Sequence, residues 1–289
     1  MEKLKRAEVR THELNAKRDQ FVRDSPQSIA LKARYDIAKW EVRIIDVPPT
    51  PIILPILLGE ALQGLRSALD HLAFHLTWTH HGPAFNLNKT AFPVFMDPNG
   101  DYETASNGAR NVGLTHPLVQ AFIEWLQPFR SLNPEDTALC KLNKLNNRDK
   151  HRALVATNLS ITDATLQFIV TGPPPFNIVS VHTVLVPKLT RLVDNAVLGY
   201  IPLVTNSQVQ MNGGLVTDVL VDEAPWGPME VFDLLAGIWN FITRQVIAPL
   251  RPYLGLHPKY LNPDLFELRR SEVVQLAAEF AQHPLTAIP

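Results

Sequence analysis

The chain has 289 residues, 46% of them hydrophobic and 19% charged, a composition typical of a folded globular protein and not of a disordered one. Its formal net charge of −1 excludes a global basic field for holding nucleic acid, so any such contact needs a local patch. The single cysteine, Cys140, excludes an internal disulfide framework and a thiolate zinc cluster, and it fits a reducing compartment.

Targeting and membrane signals are weak in this sequence. The N-terminus, Met1-Glu-Lys-Leu-Lys-Arg, has mixed charges with no apolar core behind it, which argues against a signal peptide. The longest apolar run, Ile52 to Leu58, is interrupted by Pro55 and is too short to span a bilayer. We therefore expect a cytoplasmic protein that makes no membrane contact.

Residues 1–24 are charged and predict an amphipathic surface helix. Its thin apolar stripe, at spacings of three, four and seven, consists of Leu4, Ala7, Thr11, Leu14 and Phe21. Such a stripe favours a helix docked on its own domain, with a partner-binding arm as the alternative. Residues 40–47 then predict a β-strand that stops at Pro48-Pro49, before a proline-rich loop that runs to Pro55.

The next part of the chain predicts three helices and one long loop. The first helix, over residues 57–79, carries a continuous leucine stripe: Leu58, Leu62, Leu65, Leu69, Leu72 and Leu76. A loop rich in Pro, Asn and Gly follows over residues 83–113, with an extended piece at 91–95. Two further helices are predicted over residues 116–127 and 135–152.

From residue 153 to residue 222 the chain changes to β-branched runs that predict strands. The runs are Leu154–Thr157, Thr165–Thr171, Ile178–Val186, Gln208–Met211 and Leu215–Val221. Between the last two, Asn212-Gly213-Gly214 predicts a hairpin turn. Pro228 is expected at the first position of a helix over 228–250, and the tail is expected to form one more helix over about 264–281.

These elements predict an α+β protein, in which a helical bundle packs with a small antiparallel sheet from the middle-to-C-terminal half. The expected organisation is an N-terminal amphipathic helix in residues 1–34, a single α+β domain in residues 35–255 and a C-terminal tail with one helix in residues 256–289. Within the domain, the bundle is expected from residues 57–152 and 228–250, and the β-rich segment from residues 153–222.

Two helices carry Asp and His where Glu, Lys or Ala would be ordinary choices. One contains Arg66-Ser-Ala-Leu-Asp-His71, and the other ends in Asn146-Asn-Arg-Asp-Lys-His-Arg152. Asp149 interrupts the apolar stripe of the second helix, and a carboxylate facing a core is costly unless it is paired. We therefore predict that Asp149 is buried and partnered, by His71, Arg66 or Arg152.

Three interpretations of these residues stay open. An Asp/Arg/His cluster is most often a structural network, and a catalytic or ligand-binding site is the second interpretation. A metal site is the third, because His71 and His75 have ligand spacing, but no carboxylate partner is evident and no metal is expected. Cys140 is predicted to be buried and inert, and no Gly-x-Ser-x-Gly elbow supports a hydrolase triad.

Leu62–Ala73 and Leu142–Arg152 together resemble a widespread group of uncharacterised bacterial and phage proteins. Members carry a Leu-Arg-Ser-Ala-Leu-Asp-His helix and an Asp-Lys-His-Arg helix end; the resemblance covers roughly residues 35–160 and implies no function. Arg66-Ser-Ala-Leu-Asp-His71 is also similar to Arg-x4-His, the signature of the HEPN superfamily of helical, mostly metal-independent ribonucleases. In that superfamily the Arg and His act on the scissile phosphate at a dimer interface.

The HEPN resemblance implies Arg66 as a phosphate clamp and His71 as a general acid/base. Asp70, Asp149 and His151 complete our candidate catalytic set, and the candidate substrate contacts are Ser67, Asn147, Lys150 and Arg152. On a regular helix Arg66 and His71 point about 140° apart, so they converge only across a dimer or through local distortion.

The expected function is therefore a HEPN-like RNA-cleaving or RNA-binding protein in defence or stress, with RNA and a second copy of the chain as partners and no cofactor. The alternative is a non-enzymatic structural or interaction protein whose Asp/His/Arg network only ties helices together. An open cleft containing Arg66, His71 and His151 would favour chemistry, and a dry, paired cluster would favour the structural alternative.

Overall fold

The computed structural model describes residues 2–25, 27–82, 90–97, 113, 115–151, 155, 157–172, 179–204 and 206–254, with the backbone alone for residues 150 and 151. The chain divides into two compact units that interleave along the sequence. The helical unit comprises Met1–Val9, Gly59–Ala153 and Leu235–Pro289. The sheet unit comprises Arg10–Leu58 and Leu154–Leu234.

The helices expected within the described residues are present, with somewhat different bounds. They are α1 (Glu2–Asp24), α2 (Ile53–His81), α3 (Pro117–Trp125), α4 (Ala138–His151), α5 (Val231–Asn240) and α6 (Ala248–Leu250). A π-helical stretch, Phe241–Ile247, joins the last two. Helix α2 begins earlier than predicted, because Pro55 lies in its first turn, where a missing N–H costs no helical hydrogen bond. The predicted tail helix, over about 264–281, lies outside the described residues.

Among the described residues, eight strands form two antiparallel sheets, which corrects the prediction of one small sheet. The three-stranded sheet has the order β1 (Ser28–Arg34), β2 (Lys39–Ile45), β6 (Val197–Pro202). The five-stranded sheet has the order β4 (Val179–Val184), β3 (Thr157–Thr171), β7 (Gln208–Glu223), β8 (Gly227–Glu230), and β5 (Thr190–Arg191) also pairs with β3. The sheets are larger than expected because β2, which precedes α2, pairs with β6 from the second half of the chain, and because β3 and β7 are longer than predicted.

The core of the sheet unit lies between the two sheets. It contains buried side chains from both: Val42, Leu166, Phe168, Val170, Val184 and Ile201. On β3 these residues alternate with exposed ones such as Gln167, as expected for a strand with one buried face. The face of each sheet that points away from this core can therefore make contacts outside it.

Pro228 does not open a helix, contrary to the prediction. It lies in β8, paired with Asp222 of β7, and α5 begins three residues later at Val231. Strand β8 ends the sheet order, and an edge strand accommodates a proline without losing a ladder hydrogen bond.

The predicted hairpin at Asn212-Gly213-Gly214 is also wrong. Strand β7 runs without interruption from Gln208 to Glu223, and Gly213 pairs with Leu166 in the middle of its ladder with β3. Gly213 has φ +102, and a Cβ added there would lie 1.9 Å from the carbonyl oxygen of Thr165. The glycine is thus required for close backbone approach within a sheet and not for a turn.

Helix α2 buries its predicted leucine stripe in the helical unit. Leu62, Leu65, Leu69, Leu72 and Leu76 are all buried, as are Leu139, Leu142 and Leu145 on α4. This burial confirms both apolar stripes, whereas the arrangement of the helices as a bundle stays a prediction.

Gly64 brings α2 close to α1. A Cβ added at Gly64 would lie 2.9 Å from Ala7 Cβ and 3.2 Å from Ala7 Cα, and Ala7 is fully buried. We expect Gly64→Leu to overpack this contact and to lower the free energy of unfolding by about 3 kcal/mol.

Gly237→Ala on α5 is the matched control for Gly64→Leu, because no atom lies within 4 Å of a Cβ placed there. Alanine's higher helix propensity should stabilise the helix by up to about 1 kcal/mol. Urea unfolding followed by circular dichroism measures both variants. Equal stabilities for the two variants would contradict the close approach of α1 to α2.

Within the described residues, one helix is long and apolar enough to cross a membrane. It runs from Val231 to Tyr253 with a mean hydropathy of 1.2, and 39% of its most apolar window is buried. A core helix of a water-soluble protein meets the same criteria, so this helix does not show whether the protein crosses a membrane. The cytoplasmic location and the lack of membrane contact stay predictions.

Candidate functional site

Arg66 and Asp70, one turn apart on α2, together hold the backbone of Phe92. Arg66 Nη2 lies 3.0 Å from Asp70 Oδ1 and donates a hydrogen bond of 2.6 Å to the carbonyl oxygen of Phe92. The N–H of Phe92 donates to Asp70 Oδ1 at 2.9 Å. The ion pair thus satisfies both backbone polar groups of a residue whose side chain is fully buried. We call this arrangement the Arg66–Asp70 clamp.

Gln127 extends the clamp along the same segment. Its Nε2 donates to the carbonyl oxygens of Pro93 (3.1 Å) and Ile123 (2.9 Å), and its Oε1 accepts from the N–H of Phe95 (3.1 Å). Gln127 is only 2% exposed. Because residues 90–97 form neither helix nor strand, these side chains supply hydrogen bonds that secondary structure would otherwise provide.

Phe92 and Gln127 were not among the site residues predicted from the sequence. The signal was the apolar Phe92-Pro-Val-Phe95 run inside a polar loop, since an apolar segment that is buried without regular structure needs partners for its backbone. Gln127 gave no such signal, because its burial is visible only in the structure.

His71 and Arg66 differ in their exposure on α2. The Arg66 side chain is 10% exposed and engaged with Asp70 and Phe92, whereas His71 is exposed. Ser67, half-buried, accepts a hydrogen bond from Gln63 Nε2 at 3.1 Å. Convergence of Arg66 and His71 on one phosphate would need a second copy of the chain, and that homodimer stays a prediction.

Asp149 on α4 lies against α2, but far from the clamp. Its carboxylate occupies the space beside Gly59, where an added Cβ would lie 2.4 Å from Oδ1. Gly59 precedes Arg66 by seven residues, or about 10 Å along the helix axis. Asp149 is half-buried, so the prediction that it is buried is confirmed only in part.

Of the remaining predicted site residues, Asn147 is the one whose side chain the structure describes. Asn147 is exposed, whereas its neighbour Asn146 is 2% exposed and extends the apolar stripe of α4. The side chains of Lys150 and His151, and all of Arg152, lie outside the described residues. The structure therefore brings together Arg66 and Asp70 from the predicted catalytic set, with Phe92 and Gln127 as additions.

Cysteine and metal chemistry find little support in the described part of the chain. Cys140 is buried as predicted, and burial raises the pKa of its thiol, which keeps it protonated and unreactive. His71 and His75 are both exposed. Among the described residues, no three His, Cys, Asp or Glu side chains are grouped so that they could hold a metal ion.

A second cluster of charged groups lies on the three-stranded sheet, on the face opposite the core. Val42 faces the core, so its neighbours Glu41 and Arg43 point to the other face. Glu41 is only 2% exposed and accepts hydrogen bonds from Arg34 Nη1 (2.6 Å) and Arg43 Nε (2.7 Å). Arg43 and Arg34 hold the pKa of the Glu41 carboxyl below its usual value.

Two lysines and a tyrosine complete this face. Lys32 and Tyr200 are the direct neighbours of Glu41 on β1 and β6, and Lys39 Nζ lies 5.7 Å from the centre of the Tyr200 ring. Lys32, Lys39 and Tyr200 are exposed. We call this surface the basic sheet face; its charged residues are Lys32, Arg34, Lys39, Arg43, Asp36 and Glu41.

The basic sheet face carries a local positive charge in a chain whose net charge is −1. Four cations against two carboxylates give it a formal charge of +2. Arg34 binds both carboxylates, including a 2.6 Å contact to Asp36 that lowers the pKa of that residue, so the lysines are the more available cations. The signal in the sequence was the two-residue spacing of Lys32 and Arg34, which we did not interpret because β1 was not predicted.

The resemblances drawn from sequence rest on short motifs. The resemblance to the bacterial and phage group uses residues of α2 and α4, and the resemblance to the HEPN superfamily uses residues of α2 alone; membership in either stays a prediction. No protein-family model matches the chain, and no curated protein or solved structure is significantly similar to it.

Proposed function

We propose that the chain binds single-stranded RNA without cutting it, and that the basic sheet face is the contact surface. The observation that supports this proposal is the local charge of +2 beside the exposed ring of Tyr200. Lysine ammonium groups attract phosphates, and an exposed aromatic ring on a sheet is a stacking platform for an unpaired base. Lys32 and Tyr200 are the cross-strand neighbours of Glu41, so a cation and the aromatic ring lie in one row across β1, β2 and β6.

The Arg66–Asp70 clamp supports the part of the proposal that the chain does not cleave RNA. To bind the phosphate of a substrate, the guanidinium of Arg66 would have to reach that substrate. Arg66 is instead nearly buried and donates to a backbone carbonyl. A general acid/base must come within about 3 Å of its proton, and His71 is exposed whereas Arg66 is nearly buried. The clamp fits the alternative role of a network that holds parts of the fold together.

RNA cleavage by Arg66 and His71, in defence or stress, stays a prediction with a direct test. Wild type and His71→Ala are incubated with labelled RNA in the presence of EDTA, and the products are separated on a gel. Our proposal expects intact RNA in both reactions. Cleavage by wild type that His71→Ala abolishes would replace our proposal with the HEPN-like function.

RNA binding is tested by fluorescence anisotropy with a labelled single-stranded RNA of mixed sequence, titrated at several salt concentrations. If two lysines each contact one phosphate, the slope of log K against log salt should be about −1.4. Removing one of them, in Lys39→Ala, should reduce this slope to about −0.7. Tyr200→Leu should weaken binding by about 1–3 kcal/mol while the slope is retained.

Lys188→Ala is the matched control for the lysine variants. Lys188 is also exposed and lies in the sheet unit, but it belongs to the turn before β5 of the five-stranded sheet. Its removal should leave both the affinity and the slope unchanged. A wild type that shows no salt-dependent binding, or a Lys188→Ala variant as weak as Lys39→Ala, would contradict the proposed surface.

A further inference from the structure

Glu41 is an unexpected residue on a surface that binds a polyanion, because it places a carboxylate at the centre of the basic sheet face. Burial of a carboxylate is costly unless partners compensate, and here two guanidinium groups do so. Arg34 binds Oε1 and Arg43 binds Oε2, so one carboxyl group bridges two arginines from neighbouring strands.

We propose that Glu41 is a positioning residue, which holds Arg34 and Arg43 as a pair for one phosphodiester of a single-stranded RNA. This inference rests on the proposed function of the basic sheet face. It adds that the arginines take part in binding and that their geometry depends on Glu41.

The hydrogen-bond pattern leaves both arginines with donors for a ligand. A guanidinium has five N–H groups. Arg34 uses three, two toward Asp36 and one toward Glu41, and Arg43 uses three, two toward Glu41 and one toward the carbonyl oxygen of Asn195. Each therefore retains two N–H groups, and the side chains are 39% and 24% exposed.

The position of Tyr200 explains the preference for a single strand. Tyr200 is the β6 neighbour of Glu41, so a base stacked on its ring has its own phosphate beside the bridged arginines. A duplex keeps its bases stacked on each other and offers none to the ring. The same row of side chains thus binds one base and one phosphate of an unpaired nucleotide.

Two variants with equal charge change separate positioning from simple electrostatics. Glu41→Gln and Asp36→Asn each remove one negative charge and one acidic partner of Arg34, but Asp36 does not contact Arg43. Charge alone predicts tighter RNA binding for both variants. The positioning role predicts about twofold tighter binding for Asp36→Asn and about tenfold weaker binding for Glu41→Gln, because two long side chains must then be ordered on binding.

The measurement is the anisotropy titration with a labelled single-stranded RNA and with the same sequence annealed to its complement. We expect wild type to prefer the single strand and Glu41→Gln to lose most of that preference, while its melting profile shows a folded protein. If Glu41→Gln does not fold, Arg43→Lys takes its place; it keeps the charge, and weaker binding is expected because an ammonium cannot bridge Glu41 and Asn195 in the same geometry.

The outcomes distinguish this inference from the proposed function. A wild type that binds neither RNA overturns the proposed function. A wild type that binds, with Lys39→Ala weaker but Glu41→Gln as tight as Asp36→Asn, overturns the positioning role and leaves the proposed function standing. Equal binding of single strand and duplex by wild type overturns the single-strand part of the proposed function, and unchanged binding by Arg43→Lys overturns the positioning role.

Discussion

Gly213→Ala is expected to lower the free energy of unfolding by about 3 kcal/mol or more, although it adds one methyl group. The added Cβ would lie 1.9 Å from the carbonyl oxygen of Thr165, a backbone atom that cannot rotate away. The residue would also be held at φ +102, which L side chains rarely adopt. Relief of either strain requires β7 to separate from β3, its longest partner.

Gly214→Ala is the control for this prediction because it changes the adjacent residue of the same strand. No atom lies within 4 Å of a Cβ at Gly214, so this variant should remain within about 0.5 kcal/mol of wild type. Urea unfolding monitored by far-ultraviolet circular dichroism compares the midpoints, and similar slopes would indicate similar exposed surface. Two glycine variants of equal stability would show that β7 and β3 do not approach each other at Gly213.

The glycine pair also shows why part of the sheet could not be predicted from the sequence. Asn-Gly-Gly between two β-branched runs is a common hairpin signal, because it supplies positive φ. The same glycines supply close backbone approach within a long strand, and only the partner strand distinguishes the two uses. That partner is β3, which pairs with β7 over 14 positions. Strand β1 was missed for a related reason, since Ser-Ile-Ala-Leu-Lys-Ala-Arg has few β-branched residues and depends on β2.

The helical elements were easier to predict because their signal is local. The leucine stripe of α2 needs no knowledge of its partners, and its burial follows from period alone. The hydrogen-bond partners of a buried polar side chain, by contrast, could not be predicted from a local pattern. Arg66 was expected to pair with Asp149 or to bind a phosphate, yet it donates to Phe92, a residue 26 positions away in an irregular segment. The sequence indicated that Arg66 and Asp70 were unusual, but not what they hold.

Arg66→Met is expected to lower the free energy of unfolding by about 3 kcal/mol, even though methionine retains much of the aliphatic volume. The substitution leaves the buried carbonyl oxygen of Phe92 without the donor that reaches it at 2.6 Å, and it removes the cationic neighbour of Asp70. His71→Ala, on the exposed side of the same helix, should change stability by less than about 0.5 kcal/mol.

A double-mutant cycle tests whether Arg66 and Asp70 act as one unit. Asp70→Ala alone removes the acceptor for the N–H of Phe92, and we expect it to cost about 1–3 kcal/mol. If both side chains hold the same residue, the double variant should cost less than the sum of the two single variants, because loss of either one already releases Phe92. Strict additivity, or an Arg66→Met variant as stable as His71→Ala, would argue against the clamp. Arg66 would then be available for the phosphate-binding role that its motif suggests, so this cycle decides which of its two interpretations is correct.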